Sequence, residues 1–191
     1  MLTGRRDLVV ALQRGNLEAL GALYDLHAPL VFRTAVGITC DEEAAADLLQ
    51  DVFLRLHRFA ARIDPDRPLE PWLYRMTVNL AYTWARRQRW LHPIDDLAEW
   101  LTGDQKSSPA QMAEQSETWS ELKNAIAALP IPQRTVMVMY YLNGSSLQEI
   151  SQILEVPVGT IKSRLHYGRE SVRRTLALGD SARVEVQYEF T

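Results

Sequence analysis

The segment from Ser146 to Arg174 constrains the fold more than any other part of the chain, because it has the pattern of two short helices joined by a tight turn. Ser146 followed by Glu149 forms a capping box and predicts the start of the first helix. Pro157 predicts its end, because proline cannot continue a helix and disfavours helical backbone in the residue before it. A second helix is predicted from about Val158, and the pair indicates a helix-turn-helix.

The second of these predicted helices has one apolar side and one cationic side. Its apolar stripe, at helical spacing, consists of Ile161, Leu165, Val172 and Leu176. Its other side carries polar and basic residues, namely Lys162, Ser163, His166, Tyr167, Arg169 and Arg173. A cationic helix that follows a capped helix and a short turn is typical of DNA binding. The alternative interpretation is an ordinary helical hairpin with a solvated charged face.

Charge is distributed unevenly along the chain. The formal net charge is only −3, which does not by itself indicate a nucleic-acid partner. The segment from Trp72 to His92, however, contains several arginines and no acidic residue. The stretch from Asp95 to Glu121 is acidic, and the helix after Pro157 is basic again. Two basic patches on either side of an acidic segment can bind DNA locally whatever the total charge.

The composition favours an all-α protein. Hydrophobic residues make up 47% of the chain, and almost every long segment fits a helical rather than an alternating period. The single cysteine, Cys40, excludes a disulfide framework and a sulfur-based metal site, which fits a reducing cytoplasm. We interpret Cys40 as a small apolar residue near a helix start. No signal peptide or membrane-spanning run is predicted.

Four helices are predicted in the N-terminal half. Gly15 ends the first and Asn16 caps the second, which Pro29 is expected to kink or divide. Asp41 caps the third. The inward side of the second helix is predicted to consist of Leu20, Leu23, Tyr24 and Leu30. The predicted ranges are Arg5–Arg14, Leu17 to about Gly37, a third helix after Asp41, a proline-rich loop at Arg62–Pro71, and Trp72 to about Trp90.

The C-terminal half begins with a segment that lacks periodicity, from about His92 to Ser116, and we predict a flexible acidic linker there. Helical pattern returns near Glu117 and ends at Leu129. Pro132 opens a further helix that Asn143 and Gly144 end. The short tail after Leu178 has an alternating Val-Glu-Val piece at positions 184–186, to which the sequence assigns no role.

Two helices in the N-terminal half also present distinctive surfaces. On the third helix, a buried stripe is predicted for Leu49, Val52, Phe53 and Leu56, while Asp47, Gln50, Asp51 and Leu54 fall elsewhere on the surface. The surface of the helix from Trp72 consists of Arg75, Asn79, Tyr82, Thr83, Arg86 and Arg87. Aromatic rings that stack on bases, next to arginines that hold phosphates, suit single-stranded DNA. The alternative, that these aromatics are core and these arginines are solvated, remains open.

Taken together, these stretches resemble the extracytoplasmic-function (ECF, group 4) sigma factors of the bacterial sigma-70 family. The resemblance covers about Leu8–Trp90 and Leu129–Leu176, and its order and spacing are more specific than any one motif. It implies two small helical domains, a domain 2 at residues 1–92 and a domain 4 at residues 117–178, with a linker at 93–116 and a tail at 179–191. Its motifs here are Asp47–Leu56 (DLLQDVFLRL), Pro71–Arg75 (PWLYR), Leu129-Pro130 and Pro157–Arg164 (PVGTIKSR).

The resemblance implies that the chain binds RNA polymerase core and brings it to promoters. The beta-prime clamp and the beta flap would be its contacts on the core, and the clamp contacts would be Asp47, Gln50, Asp51, Phe53 and Leu54. The −10 element would be opened and read by Arg75, Asn79, Tyr82, Thr83, Arg86 and Arg87, with a flipped base held by the loop at Arg62–Pro71. The linker would thread its acidic residues toward the RNA exit path.

The resemblance places the helix after Pro157 in the major groove of the −35 element. Base-edge candidates are Lys162, Ser163, His166 and Tyr167, and phosphate candidates are Thr160, Arg164 and Arg169. One departure concerns Tyr167-Gly168, which stands where the family often has Arg-Ala. A guanine contact is therefore in doubt, and the −35 preference is expected to be unusual. Gly168 also weakens the middle of the helix by up to about 1 kcal/mol relative to alanine.

The family is commonly held inactive by an anti-sigma factor, often anchored in a membrane. The resemblance therefore implies a cytoplasmic bacterial protein that such a partner can hold at the inner membrane. It implies no enzymatic activity, no cofactor, no metal and no small-molecule substrate.

Two interpretations from other classes compete with this one. A helix-turn-helix regulator would bind an operator without polymerase, while its N-terminal bundle sensed a ligand or dimerised. An enzyme with a DNA-binding tail is disfavoured, because the sequence has no phosphate loop, nucleophile elbow or HExxH spacing. Its four histidines are scattered along the chain, at His27, His57, His92 and His166.

Overall fold

The computed structural model describes residues 4–91 and 113–188, and these residues form helices joined by short turns, with no strand among them. The all-α prediction is therefore confirmed. The N-terminal helices, which we call the first module, are α1 (Arg5–Gln13), α2 (Leu17–Thr39), α3 (Glu42–Phe59) and α4 (Glu70–Leu91). The second module contains α5 (Ala113–Ala127), α6 (Ile131–Met137), α7 (Leu147–Leu154) and α8 (Val158–Tyr188).

The first module is organised around α2, which packs against α1, α3 and α4. Leu23, Leu56 and Leu73, one from each of α2, α3 and α4, are completely buried. Helix α2 runs through Pro29 without being divided, and Pro29 lies on its exposed side. The ring therefore leaves the packed side undisturbed, and burial on both sides of the proline, at Leu23 and Val31, holds the helix together.

The predicted caps of the first module are confirmed. The Asn16 side chain accepts hydrogen bonds from the backbone N–H groups of Glu18 and Ala19, at 2.8 and 3.3 Å. Asp41 caps α3 by accepting from the N–H of Ala44 at 2.8 Å. These bonds satisfy N–H groups that the helices themselves leave without partners.

Two residues of the first module lie elsewhere than predicted. Tyr24 was expected to face inward, but it is exposed on α2 and its ring packs on that of Phe53, with centroids 4.8 Å apart. Cys40 was interpreted as a small apolar residue near a helix start. It is instead exposed at the end of α2, with a left-handed backbone (φ 59°). The turn between α2 and α3 requires this conformation, so backbone geometry rather than packing determines the position of Cys40.

The second module has a smaller core. Met139, Ile150 and Ile161 are completely buried in it. Helix α6 continues as a π-helical turn over Val138–Leu142, and the chain reverses at Gly144, whose φ of 69° suits glycine. Ala125, Leu129 and Val172 form a separate small cluster that joins α5 to α8.

Several predicted boundaries shift in the structure. Helix α4 begins at Glu70 rather than Trp72, because Pro71 is tolerated in a first turn, where its missing N–H has no helical partner. Helix α5 begins at Ala113 rather than near Glu117. Helix α8 continues to Tyr188, so the alternating piece at 184–186 is helical. A lone strand leaves its backbone groups unpaired, whereas a helix pairs its own. The flexibility predicted for the linker falls on residues 92–112, outside the described residues.

Candidate nucleic-acid interface

The helix-turn-helix predicted from the sequence is present as α7, a turn and α8. The Ser146 hydroxyl accepts from the Glu149 N–H at 3.2 Å, and the Glu149 carboxylate accepts from the Ser146 N–H at 2.7 Å. This capping box lowers the pKa of Glu149, chiefly through the hydrogen bond from the Ser146 backbone and also through its side chain. Helix α7 ends at Leu154, and the next residue, Glu155, has a left-handed backbone (φ 56°) that turns the chain toward α8.

One side of α8 packs into the second module and the other faces solvent. Ile161, Leu165 and Val172 are buried, as predicted, and Leu176 is half-buried. We define the α8 face as the seven residues proposed for the −35 element, of which Thr160 and Arg164 are half-buried. The other five are exposed, namely Lys162, Ser163, His166, Tyr167 and Arg169. Tyr167 is 62% exposed, although it is a large hydrophobic residue.

Two aromatic rings from the end of α6 hold Arg169 in place. Its guanidinium carbon lies 5.6 Å from the Tyr140 ring centroid and 5.3 Å from that of Tyr141. An arginine at such a distance over a ring is attracted by the ring's negative face. The sequence analysis missed this contact, because nothing in the local pattern relates position 169 to positions 140 and 141. These contacts favour one position of the Arg169 guanidinium beside the α8 face.

Gly168 lies where α8 packs closely against α6. A Cβ atom at this position would lie 2.7 Å from Met137 Sδ and 3.2 Å from Met137 Cγ. Glycine weakens the helix, but here it lets α8 approach α6 closely. Glycine at position 168, where the family often has alanine, therefore fits the close packing of α8 against α6.

A second group of basic and aromatic side chains lies on α4. Its buried side includes Leu73, Thr77 and Ala81. We define the α4 face as the six residues proposed for the −10 element, and the structure places all six off that buried side: Arg75, Asn79, Arg86 and Arg87 exposed, and Tyr82 and Thr83 half-buried. The Thr83 hydroxyl donates to the backbone carbonyl oxygen of Asn79 at 2.9 Å. This bond does not use the side-chain amide of Asn79, which stays available for a partner.

Part of the α4 face opens into a cleft between the modules rather than into bulk solvent. The cleft has a volume of about 300 Å³. Arg75, Asn79 and Tyr82 line it from the first module, and Arg164 lines it from the second. Its apolar lining consists of Val78, Ile153, Leu154 and Val156, and Glu155 also lines it. The structure thus brings together residues that the sequence analysis assigned to two different promoter elements.

The candidate polymerase-binding residues lie on α3. Asp47, Gln50, Asp51 and Leu54 are exposed, and Leu54 is 65% exposed. Phe53, in contrast, is only 5% exposed and packs against Tyr24. Phe53 belongs to the buried stripe of α3, and Leu54, the next residue, lies about 100° further round the helix and outside that stripe. Phe53 can therefore orient this surface from beneath but offers little area of its own.

The described residues contain few features that fit other kinds of site. No group of His, Cys, Asp or Glu among them could hold a metal ion. In the ranges that the structure covers, no helix combines the length and apolar character needed to span a bilayer. His27 is buried in the first module, and burial is the main reason why its pKa is lowered.

A helix-turn-helix in one module and an arginine-rich, aromatic helix in the other give this chain the architecture of a two-module helical DNA-binding protein. Family models for sigma-70 region 2 and sigma-70 region 4 match residues 23–91 and 119–172. The chain belongs to the ECF group of the sigma-70 family of RNA polymerase sigma factors. That family consists of non-enzymatic transcription initiation factors.

Individual relatives agree with the family models. The chain is 29% identical over 172 residues to the ECF RNA polymerase sigma factor SigW of Bacillus subtilis, a match that covers 86% of this chain and 92% of SigW. It is 31% identical over 156 residues to SigL of Mycobacterium tuberculosis, covering 81% and 87% of the two chains. The fold is also similar to that of the sigma factor RpoE of Bartonella quintana, solved in complex with the anti-sigma factor NepR. This similarity has a TM-score of 0.65 at 22% identity and covers 82% of this chain and 96% of RpoE.

Proposed function

We propose that this chain directs RNA polymerase core to promoters that it recognises at two separate elements. In this proposal residues 1–92 act as domain 2, on the core and the −10 element, and residues 117–178 act as domain 4, on the −35 element. The linker is 93–116 and the tail is 179–191. The proposal rests mainly on one observation. The chain has two surfaces with the basic and aromatic side chains that suit DNA binding, one on α4 and one on α8, and the opposite side of each helix is buried in its own module.

The α8 face is proposed to enter the major groove at the −35 element. Lys162, Ser163, His166 and Tyr167 are candidates for base edges, since all four are exposed on one side of α8. Thr160, Arg164 and Arg169 are candidates for phosphates, which position a protein on DNA without specifying sequence. The rings of Tyr140 and Tyr141 support the phosphate role of Arg169, because they hold its guanidinium in place.

The α4 face is proposed to act on the −10 element as its strands separate. Tyr82 offers a ring for base stacking, and Asn79 offers a paired donor and acceptor. Phosphate contacts are proposed for Arg75, Arg86 and Arg87, with Thr83 nearby. Aromatic and arginine side chains on one helix face are the combination that single-stranded binding uses.

The exposed surface of α3 is proposed to dock on the beta-prime clamp. Asp47, Gln50 and Asp51 supply polar contacts and Leu54 supplies an apolar one. Phe53 supports this surface from the core, because its burial leaves it little area for a partner. The second module is proposed to contact the beta flap.

An anti-sigma factor is proposed to control the protein. The support is the similarity in fold to RpoE, which was solved with its anti-sigma factor NepR. We propose a cytoplasmic location, with capture at the inner membrane if the partner is anchored there. No catalytic activity and no cofactor form part of the proposal.

Run-off transcription with purified core polymerase and a library of promoter sequences tests the central proposal. We expect the chain to make core polymerase start RNA at a subset of promoters, and the selected sequences would report both recognition elements. If the chain gave core polymerase no ability to initiate at any sequence, the proposal would be wrong. Asn79→Ala should impair promoter opening more than −35 binding. Equal losses in both would show that Asn79 has no specific role at the −10 element.

Charge reversal tests the polymerase contact separately. Asp51→Arg should weaken core binding while the helical content stays unchanged, because Asp51 is exposed and does not take part in the core. Asp25→Arg is the matched control, since it reverses another exposed carboxylate of the same module. Unchanged affinity for Asp51→Arg in equilibrium binding to core would remove this residue from the interface.

A further inference from the structure

Helix α1 packs against the start of the loop that joins α3 to α4. The sequence resemblance implies that this loop, Arg62–Pro71, holds a flipped base of the −10 element. Helix α1 itself precedes the residues that match the sigma-70 region 2 model, which begin at 23. We propose that α1 fixes the shape and the charge of the loop, so that Gln13 and Arg6 are positioning residues for the −10 element. This inference rests on the function proposed above.

Gln13, the last residue of α1, ties the start of the loop to that helix. Its side-chain Nε2 donates to the backbone carbonyl oxygens of Ala60 and Ile63, at 3.1 and 2.8 Å. A 3-10 turn over Ala60–Arg62 lies between these two acceptors. A single amide group therefore holds both ends of the turn through which the chain leaves α3. The side chain of Gln13 is half-buried, so these bonds are partly shielded from water.

The loop is anchored at both ends and exposed in between. Ile63 and Leu69 are 8% and 1% exposed, whereas residues 64–68 are half-buried or exposed. Within the exposed part, the Asp66 N–H donates to Asp64 Oδ1 at 3.0 Å. A site for a flipped base should have its shape before DNA arrives, because ordering the loop on binding would weaken the affinity. Contacts from α1 to both ends of this segment supply such preorganisation.

The charge of the loop also depends on α1. The segment Arg62–Pro71 contains two arginines and three carboxylates, so its own formal charge is −1. Each carboxylate is paired with an arginine, and two of the three arginines belong to α1. The pairs are Arg6–Asp66 at 2.6 Å, Arg5–Glu70 at 3.3 Å and Arg67–Asp64 at 3.2 Å. Carboxylates without these partners would repel the phosphates of a DNA strand.

The exposure of the Arg6–Asp66 pair indicates what it can do. The two side chains are 63% and 69% exposed, and exposed ion pairs contribute little to the free energy of unfolding. The pair nevertheless places a guanidinium beside a carboxylate on the surface of the loop, where it offsets the repulsion of a phosphate. Gln13 thus acts on the shape of the loop and Arg6 on its charge, and the two effects can be tested separately.

Replacing Gln13 tests the shape of the loop. Gln13→Met keeps the length and helix propensity of the side chain but cannot donate a hydrogen bond to the carbonyl oxygens, whereas Gln13→Lys restores a donor. Holoenzyme formed with each variant is given a promoter that supports run-off transcription, and its rate of opening is measured. The measurement is repeated with each −10 base of the non-template strand replaced in turn by an abasic site. Circular dichroism checks that the helical content is unchanged.

We expect the wild type to open the promoter more slowly when the abasic site replaces the flipped base. Gln13→Met should open the intact promoter about threefold to tenfold more slowly, the effect expected for a lost hydrogen bond. At the flipped position, the abasic site should slow this variant little further, because the loop no longer holds the base. Gln13→Lys should restore both the rate and the sensitivity to that position. A loss of stability alone would not change one position selectively.

The inference and the proposed function fail in different ways. If the abasic site slows Gln13→Met and the wild type by the same factor, α1 does not position the loop, while the −10 role of the loop stands. If no abasic position slows the wild type, the loop holds no flipped base, and both its −10 role and the inference are wrong. A chain that is unable to initiate at any promoter would already fail in the run-off assay.

Replacing Arg6 tests the charge of the loop. Arg6→Ala leaves the Asp66 carboxylate without its arginine, and the matched control Arg14→Ala removes an exposed arginine just after the same helix. At low salt, Arg6→Ala should slow opening about twofold to fivefold, and Arg14→Ala should slow it less. The difference should shrink at high salt, because salt screens exposed charges.

A double variant completes this test. Arg6→Ala combined with Asp66→Asn should recover most of the wild-type opening rate at low salt, because no carboxylate is then left without a partner at that position. Equal effects of Arg6→Ala and Arg14→Ala, or no recovery in the double variant, would overturn the role of Arg6 in the charge of the loop.

Discussion

The two basic faces of this protein have similar composition but different surroundings. The α8 face and the α4 face each set basic and aromatic side chains above a buried apolar stripe. The α8 face projects mainly into solvent, whereas Arg75, Asn79 and Tyr82 of the α4 face lie in the cleft beneath the second module. Charge and aromatic content therefore do not determine which face is accessible. That depends on which other part of the chain packs against it.

The contrast concerns only part of the α4 face. Arg75, Asn79 and Tyr82 line the cleft, whereas Arg86 and Arg87 are exposed and do not line it. The following four predictions test this contrast between the modules, beginning with the largest expected effect.

The first prediction concerns the core under each face. Leu73→Ala removes a completely buried side chain beneath the α4 face, and we expect the free energy of unfolding to fall by about 2–5 kcal/mol. Val172→Ala, in the small cluster of the second module, should cost less, because it removes fewer atoms from a site that is 8% exposed. Urea unfolding followed by circular dichroism measures both. A loss for Val172→Ala as large as that for Leu73→Ala would contradict this prediction.

The second prediction concerns the open face. Lys162→Ala should weaken binding of the holoenzyme to its −35 element by about 1–3 kcal/mol if the lysine reads a base. The loss should change when the contacted base pair is changed. Arg174→Ala removes an exposed charge of α8 outside the α8 face and should give a smaller loss that is uniform across sequences. Equilibrium binding at fixed salt distinguishes the two, and a uniform loss for Lys162→Ala would make it a phosphate contact.

The third prediction compares a helix cap in each module. Ser146→Ala removes the capping box of α7 and Asn16→Ala removes the cap of α2, and each should lower the free energy of unfolding by about 1 kcal/mol. Only Ser146→Ala should also weaken −35 binding, because α7 and its turn position α8. Thermal unfolding and duplex binding measured on both variants check this. Weaker −35 binding in Asn16→Ala would mean that the first module also positions the α8 face.

The fourth prediction is a pH effect that belongs to the first module. Burial lowers the pKa of His27 below its ordinary value of 6.5, so the unfolded chain takes up a proton there before the folded chain does. The free energy of unfolding should therefore fall as the pH drops below about 6.5. His27→Leu should reduce this slope between pH 7 and 5, and the exposed His57→Gln should keep it. Parallel slopes in His27→Leu and the wild type would exclude His27 as the cause.

Local patterns predicted much of the fold and of the candidate site. The capping box at Ser146, the break at Pro157 and the buried stripe of Ile161 and Leu165 were all read from spacing, and the structure confirms them. Such features depend on residues within a turn or two of each other, so the sequence displays them directly. Pro29 was expected to kink or divide α2, and the helix is not divided, because tertiary packing on both sides of the proline outweighs its local effect.

The side-chain contacts that the sequence analysis missed involve residues far apart in the chain. Nothing in the sequence relates Arg169 to Tyr140, Gly168 to Met137, or Arg75 to Glu155. Each depends on how one helix lies across another, and helix periodicity contains no information about that. Gly168 was interpreted as a weakness of α8, whereas its meaning comes from the neighbouring helix.

By itself, the sequence determined which segments are helical, which side of each helix is apolar, and which two helices carry the basic and aromatic side chains that suit DNA. These follow from backbone geometry and from the burial of apolar surface, which act locally. Only the tertiary structure decided that Arg75, Asn79 and Tyr82 of the α4 face line a cleft against the second module, while the α8 face projects mainly into solvent. The reason is physical: this arrangement is set by contacts between residues far apart in the chain. A Cβ atom on Gly37 would lie 2.9 Å from the Val138 side chain, and Arg134 and Arg75 each donate a hydrogen bond to the other module.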